Sequence, residues 1–251
     1  MLEGKSVVIT GAARGIGKGL ALATASAGAG VVVTARTLAA AQTVVDEIAS
    51  RGGRAVPFQC DVTDRKAVEG SVAAALEHFG RLDAMVHNAI SPLSGQDTPL
   101  EAVSDEHWDE QVHIALRGAF YCAQASFEAL RSTGGTYVVL TSTGGIDGSR
   151  DRPVYSAVKG AQRGFVKALA REWGPHGVRV NAIAPVAVTE TMAVALETRP
   201  ELAQYIKFGV SLGRLGDPEK DTGGALKFLI GPDSAFITGQ TFLVDGGRTS
   251  L

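Results

Sequence analysis

Tyr155-Ser156-Ala157-Val158-Lys159 sets a phenol and an ammonium four residues apart, which on a helix puts both on one face. The pair suits acid–base chemistry. At about 5 Å and an effective dielectric near 20, an ammonium stabilises a phenolate by roughly 3 kcal/mol. That draws the phenol down towards neutrality, where it is usable as a general acid or base. Thirteen residues earlier, Ser142 follows the apolar run Tyr137–Leu140, at the carboxyl edge where α/β proteins bind ligands. A single Tyr-x-x-x-Lys is often only a helix-surface pair; the serine and a glycine turn upstream give this one weight.

That turn is Thr10-Gly11-Ala12-Ala13-Arg14-Gly15-Ile16-Gly17, between the apolar run Val7–Ile9 and a helical pattern. Gly11 permits a tight turn, Gly15 lets the backbone approach a pyrophosphate, and Gly17 allows helix and strand to pack closely. The helix N-terminus then offers free N–H groups and a positive dipole end to phosphates. A strand before, a helix after and a βαβ period around it point to a dinucleotide site. At the end of the second strand, Val33-Thr34-Ala35-Arg36-Thr37 carries no carboxylate to grip a ribose 2′-OH, but one guanidinium suited to a 2′-phosphate. Arg14 reaches the same region from the turn. Charge thus favours NADP(H) ahead of NAD(H).

The elements that must position these groups follow from periodicity. Val7–Ile9, Val31–Val33, Ala55–Phe58, Ala84–Val86, Tyr137–Leu140, Val178–Ile183 and Thr241–Val244 are apolar, β-rich runs bounded by turn residues. Between the first two, Ile16, Leu20, Ala23 and Ala27 mark a helical stripe. Leu38–Ala49 does the same with Ala41, Val45 and Ile48, and Arg65–Phe79 with Val68, Val72, Ala75 and Phe79. Doubly buried strands alternating with helices predict one Rossmann-type, doubly wound α/β domain over 1–251, its parallel sheet of about seven strands. With 251 residues the chain needs no disulfide or metal staple, and no metal site is expected. A net charge of −2 argues against nucleic-acid or anionic-membrane partners. Cys60 and Cys122 read as small buried hydrophobes of a reducing compartment. With no signal-peptide layout and no stretch of membrane-spanning length, a soluble cytoplasmic protein is expected.

Together, Thr10–Gly17, Cys60-Asp61-Val62, Asn88-Ala89, Trp108-Asp109 with Gly118, Ser142, Tyr155 with Lys159, Val178–Pro185 and Phe242–Gly247 resemble the classical branch of the short-chain dehydrogenase/reductase family over nearly the whole chain. The resemblance implies that Ser142 hydrogen-bonds a substrate carbonyl and that Tyr155 donates the proton. Lys159 would hold the nicotinamide ribose and lower the Tyr155 pKa. It implies a cofactor site from Gly11, Arg14, Gly15, Ile16, Gly17, Arg36, Asp61, Val62, Asn88, Ala89, Tyr155, Lys159, Pro185, Val188 and Glu190. Asp61 and Val62 would line the adenine, and Asn88 would support the strand beside the cofactor. A small carbonyl or alcohol substrate and a homodimer or homotetramer are also implied.

Departures from that family pattern cluster at the cofactor. Ile90 adds a β-branched side chain after Ala89. Ala115 stands where the family carries an asparagine that anchors a water linking Lys159 to solvent, and His113 is two residues away. Val186 replaces a glycine and Glu190 a threonine, with Thr189 and Thr191 flanking it; a β-branched Val186 resists positive φ, so this loop is expected on a different path. A variable substrate lid is expected around 186–214. Pro92, Leu93, Ile146, Met192, Leu196 and Phe208 are apolar candidates for the pocket. Arg150 and Arg152 read as a solvated pair, or as attraction for an anionic group. An NADP(H)-dependent carbonyl reductase follows; a ketoacyl-thioester reductase is one subcase, which Ala115 weighs against. An enoyl-thioester reductase would space its tyrosine and lysine differently. The alternative is a cofactor-binding sensor or scaffold with little catalysis.

Overall fold

Seven apolar runs form seven strands among the described residues. They are β1 (Ser6–Ile9), β2 (Gly30–Ala35), β3 (Arg54–Gln59), β4 (Ala84–His87), β5 (Thr136–Leu140), β6 (Arg179–Pro185) and β7 (Thr241–Val244). Strands β1, β2, β4 and β5 are buried throughout, whereas the edge strands β3 and β7 are only partly buried. The computed structural model describes residues 1–188 and 206–249. All six strand pairings are parallel, in the order β3-β2-β1-β4-β5-β6-β7. The seven-stranded parallel sheet expected from sequence is present. Strand ends differ by a residue or two, most at β6, which runs on to Pro185. Its ladder to β5 stops at Leu140–Ile183, whereas Pro185 pairs only with Val244 of β7. The N–H that proline lacks is therefore not needed.

Among the described residues the helices are α1 (Gly15–Ser26), α2 (Leu38–Ser50), α3 (Arg65–Phe79), α4 (Asp105–Val112), α5 (Gly118–Thr133), α6 (Pro153–Trp173) and α7 (Gly223–Ile230). Thr37, Asp64 and Ser104 cap α2, α3 and α4 by accepting from the first-turn N–H groups of Ala40, Lys66 and His107. Helices α4 and α5 are joined by a π-turn, His113–Arg117, with no break in helical backbone. Alternate residues of each strand feed two cores. Val7, Ile9, Val31 and Val33 pack with α1, α2 and α7, while Val8, Val32, Met85 and Tyr137 pack with α3, α5 and α6. The stripes Ala41–Val45–Ile48 and Val68–Val72–Ala75 are buried as their spacing predicts.

The base of the sheet is fastened by Asp83, whose side chain is buried just before β4. It accepts from the Ser6 N–H at 3.0 Å and from Arg81 at 2.7 and 2.8 Å, with Lys5 at 3.3 Å. Asp83→Ala leaves the buried Ser6 N–H without a partner. It is expected to lower the unfolding free energy by about 2–3 kcal/mol, read as a fall in the urea midpoint at constant slope.

Candidate active site

Strand order reverses beside β1, so the loops after β1 and β4 diverge and leave a crevice at the carboxyl edge. The glycine turn follows β1, Asn88-Ala89 follows β4, Ser142 follows β5, and Val186 follows β6. Asn88 ties turn to crevice: its Nδ2 donates to the carbonyls of Thr10 (2.9 Å) and Gly11 (3.1 Å). The Thr10 hydroxyl accepts in return from the backbone N–H groups of Asn88 and Ala89 at 2.9 and 3.0 Å. Gly11 has φ +63°, in the left-handed region. At Gly17 a Cβ would stand 2.3 Å from the Gly11 carbonyl oxygen and 2.5 Å from Asn88 Nδ2, so no larger residue fits.

The turn fits a dinucleotide on two observations. Arg14 at the N-cap of α1 makes no side-chain capping hydrogen bond to the helix whose N-terminus would meet a pyrophosphate. Arg14 and Arg36 are both exposed, and neither guanidinium makes an ion pair among the described residues. Asp61 lies exposed beyond β3, its carboxylate folded onto Thr63 at 2.9 and 2.7 Å, next to buried Val62. Ile90 is half-exposed at the crevice. Val186 takes the backbone conformation its β-branched side chain favours. It keeps negative φ and prolongs β6, donating to Val244 at 3.0 Å, while Val188 donates to Gly216 at 2.8 Å. Thr189, Glu190, Thr191, Met192 and Leu196 lie outside the described residues. Phe208 is exposed, Pro92 is exposed, and Leu93 and Ile146 are partly buried.

Ser142, Tyr155 and Lys159 come together as their spacing predicts. Pro153 at the first position of α6 starts the helix that carries Tyr155 and Lys159 into the site. The Ser142 hydroxyl accepts from the Gly144 N–H at 3.1 Å and faces the phenol of Tyr155. Lys159 Nζ lies 5.9 Å from the Tyr155 ring centre. One expectation is corrected. The Tyr155 phenol is raised, not lowered: burial is the largest cause, and only Ser142 and then Arg152 pull it down. Lys159 is not among the groups that lower it; its ammonium donates to the Leu140 carbonyl at 2.7 Å and to Gln162 Oε1 at 3.2 Å. Burial also pushes the Lys159 ammonium down to about 7.

Arg152 takes a different place from the one its spacing suggests, and Gln162 carries no signal in the sequence. Arg152 is not a partner of Arg150 in a solvated loop. Arg150 is almost fully exposed, whereas Arg152 meets Asp97 at 3.5 Å and lies 5.6 Å from the Tyr155 ring centre. The signal was its place one turn before Tyr155. Gln162, one turn after Lys159, is fully buried and donates to the Ala115 carbonyl at 3.0 Å. The His113 imidazole makes no hydrogen bond among the described residues, so nothing there stands in for the missing asparagine. His87, behind the site, is wholly buried and pushed down to about 3, chiefly by burial and then by Lys159, so it is neutral. The two thiols are likewise inert: burial pushes Cys60 up to about 12 and raises Cys122 well above the usual thiol range. Among the described residues no helix is long and apolar enough to cross a membrane, and no cluster of potential metal ligands occurs.

The family model described as enoyl-(acyl carrier protein) reductase matches residues 11–249. A 3-oxoacyl-[acyl-carrier-protein] reductase of Synechocystis sp. is 39% identical over 249 residues, 98% of this chain and 97% of that protein. Among solved structures, a short-chain type dehydrogenase/reductase from Mycobacterium marinum superposes with a TM-score of 0.88 at 34% identity, covering 100% of this chain and 97% of the other. A 3-ketoacyl-(acyl-carrier-protein) reductase from Brucella melitensis, complexed with NADH, gives 0.88 at 31% identity and covers both chains completely.

Proposed function

We propose that this chain, which belongs to the short-chain dehydrogenase/reductase family, is an oxidoreductase that reduces a small carbonyl compound with NADP(H) and runs in reverse on the alcohol. The observation that carries the reading is that the Ser142 hydroxyl and the Tyr155 phenol meet, at the same carboxyl edge of the sheet where the glycine turn follows β1. Two donors at one point suit the single oxygen of a carbonyl, which distinguishes it from the carbon–carbon double bond that the family model's description names.

Ser142 receives the carbonyl oxygen, and Tyr155 delivers its proton as that oxygen gains charge. Burial keeps the phenol protonated through neutrality, which is the state that reduction requires. Bound nicotinamide would supply a hydride to the carbonyl carbon, the cofactor's own chemistry. Hydride and proton together convert C=O to CH–OH, and Tyr155 recovers its proton from solvent. Gly11, Arg14, Gly15, Ile16 and Gly17 would hold the pyrophosphate, Asp61 and Val62 the adenine, Asn88 and Ala89 the floor of the crevice. Lys159 would take the nicotinamide ribose, with Pro185, Val188 and Glu190 at the nicotinamide end. Part of the same reading is one catalytic domain over 1–251 with a substrate lid around 186–214, working as a cytoplasmic homotetramer or homodimer. No observation favours a non-catalytic sensor.

The NADP(H) preference rests on Arg36, where β2 ends without a carboxylate, and Arg14 in the glycine turn, two exposed cations that make no ion pair among the described residues. The Brucella relative's complex with NADH makes this the point to test first. Titration followed by nicotinamide fluorescence should show NADPH binding more tightly than NADH. Arg36→Asp should weaken NADPH by tenfold or more, since a charge-assisted hydrogen bond contributes about 1.5–3 kcal/mol. NADH binding should change little. Equal losses for both cofactors would remove Arg36 as the selector.

A further inference from the structure

Lys159 Nζ is held by two acceptors from different elements: the Leu140 carbonyl at the end of β5 and the amide oxygen of Gln162 on α6. Gln162 is itself fixed. Its other end donates to the carbonyl of Ala115, in the π-turn between α4 and α5, across 47 residues of sequence. Lys159 and Gln162 are both buried, so neither amide nor ammonium has a water-exposed alternative that would cost nothing.

A π-turn widens the helix by one residue, so its carbonyls are not all taken up by the helix ladder. Ala115 brings no polar side chain to the site, and its carbonyl is the group that Gln162 captures. A leucine or methionine would fill the same volume, yet would leave both the Ala115 carbonyl and one ammonium hydrogen without this partner. We propose that Gln162 is a positioning residue for the reaction, coupling the Lys159 ammonium to the Ala115 carbonyl of the π-turn and so fixing where that ammonium points.

The link rests on the reading of Lys159 as part of the reaction centre, but its test does not need turnover. The other groups facing Lys159 among the described residues are the Tyr155 ring, 5.9 Å away on its own helix, and His87 on β4. His87 is neutral through the physiological range and exerts no opposing charge on the lysine there. The acceptors at Leu140 and Gln162 therefore set how firmly the buried ammonium keeps its proton, against the burial that pushes it down to about 7.

The experiment labels lysine Cε with ¹³C in the full chain and follows Lys159 through a pH titration by NMR, with Lys159→Met identifying its signal. Gln162→Met removes the acceptor and should move the Lys159 midpoint to lower pH by about one unit, a tenfold change in proton affinity. Gln162→Glu puts a carboxylate beside the ammonium and should move the midpoint up instead, which also serves if Gln162→Met folds poorly. Opposite shifts support the link. A midpoint unmoved in either folded variant would overturn it and leave Gln162 as packing alone. The reading of Lys159 itself fails separately, if Lys159→Met leaves NADPH binding and NADPH-dependent reduction of a ketone panel unchanged.

Discussion

Tyr155→Phe is expected to lower kcat/KM for carbonyl reduction by about 10²–10⁴, the range that a positioned general acid contributes. NADPH binding should stay within a few-fold, because the phenyl ring keeps its packing and only the hydroxyl is lost. Steady-state kinetics beside a fluorescence titration separate the two effects. Turnover that survives the substitution would transfer the proton-donor role to another group and end the assignment of Tyr155. The pH dependence has a definite sign. Burial raises the phenol, so the proton donor is present through neutrality and is lost only as pH rises through that raised value. Reduction should therefore hold up across neutral pH, whereas oxidation, which needs the phenolate, should gain as pH rises.

Gly17→Ala should be as damaging, for a steric reason. The added Cβ would lie 2.3 Å from the Gly11 carbonyl oxygen and 2.5 Å from Asn88 Nδ2. Neither can yield at low cost. Gly11 is committed to its left-handed turn, and Asn88 holds the Thr10 and Gly11 carbonyls at 2.9 and 3.1 Å. The expected results are a loss of about 1–3 kcal/mol in stability, the range for overpacking, and dinucleotide binding weakened by at least a hundredfold. Thermal unfolding with and without NADPH measures both. The cofactor-induced rise in midpoint should disappear along with the affinity. A variant that still gains stability from NADPH would mean that the turn is not where the pyrophosphate sits.

Much of the site could be read from local spacing. Tyr155 and Lys159 share a helix face because four residues make about one turn, and Ser142 is at a strand end because the apolar run stops before it. Helix α3 falls at Arg65–Phe79 as its stripe predicts. These patterns carry their own geometry. The β-branched side chain of Val186 resists positive φ, and the backbone there keeps negative φ as that predicts. The chain never enters the left-handed region there, since pairing with Val244 simply prolongs the strand.

What the sequence by itself determined is the seven strands, helices α1, α2 and α3, the glycine turn and the Ser142–Tyr155–Lys159 constellation, all consequences of periodicity or of separations within about one helical turn or one strand–helix unit. The tertiary structure alone decided the electrostatics. Whether Lys159 acts on Tyr155 or on Leu140 and Gln162 depends on where the ammonium finds acceptors, and whether Tyr155 is lowered or raised depends on how deeply it is buried. The polar link that the sequence lacks at Ala115 comes from Gln162, 47 positions away in the chain. Burial and long-range contact are properties of the packed molecule. No local pattern encodes them, because each is set by which distant elements the sheet brings side by side.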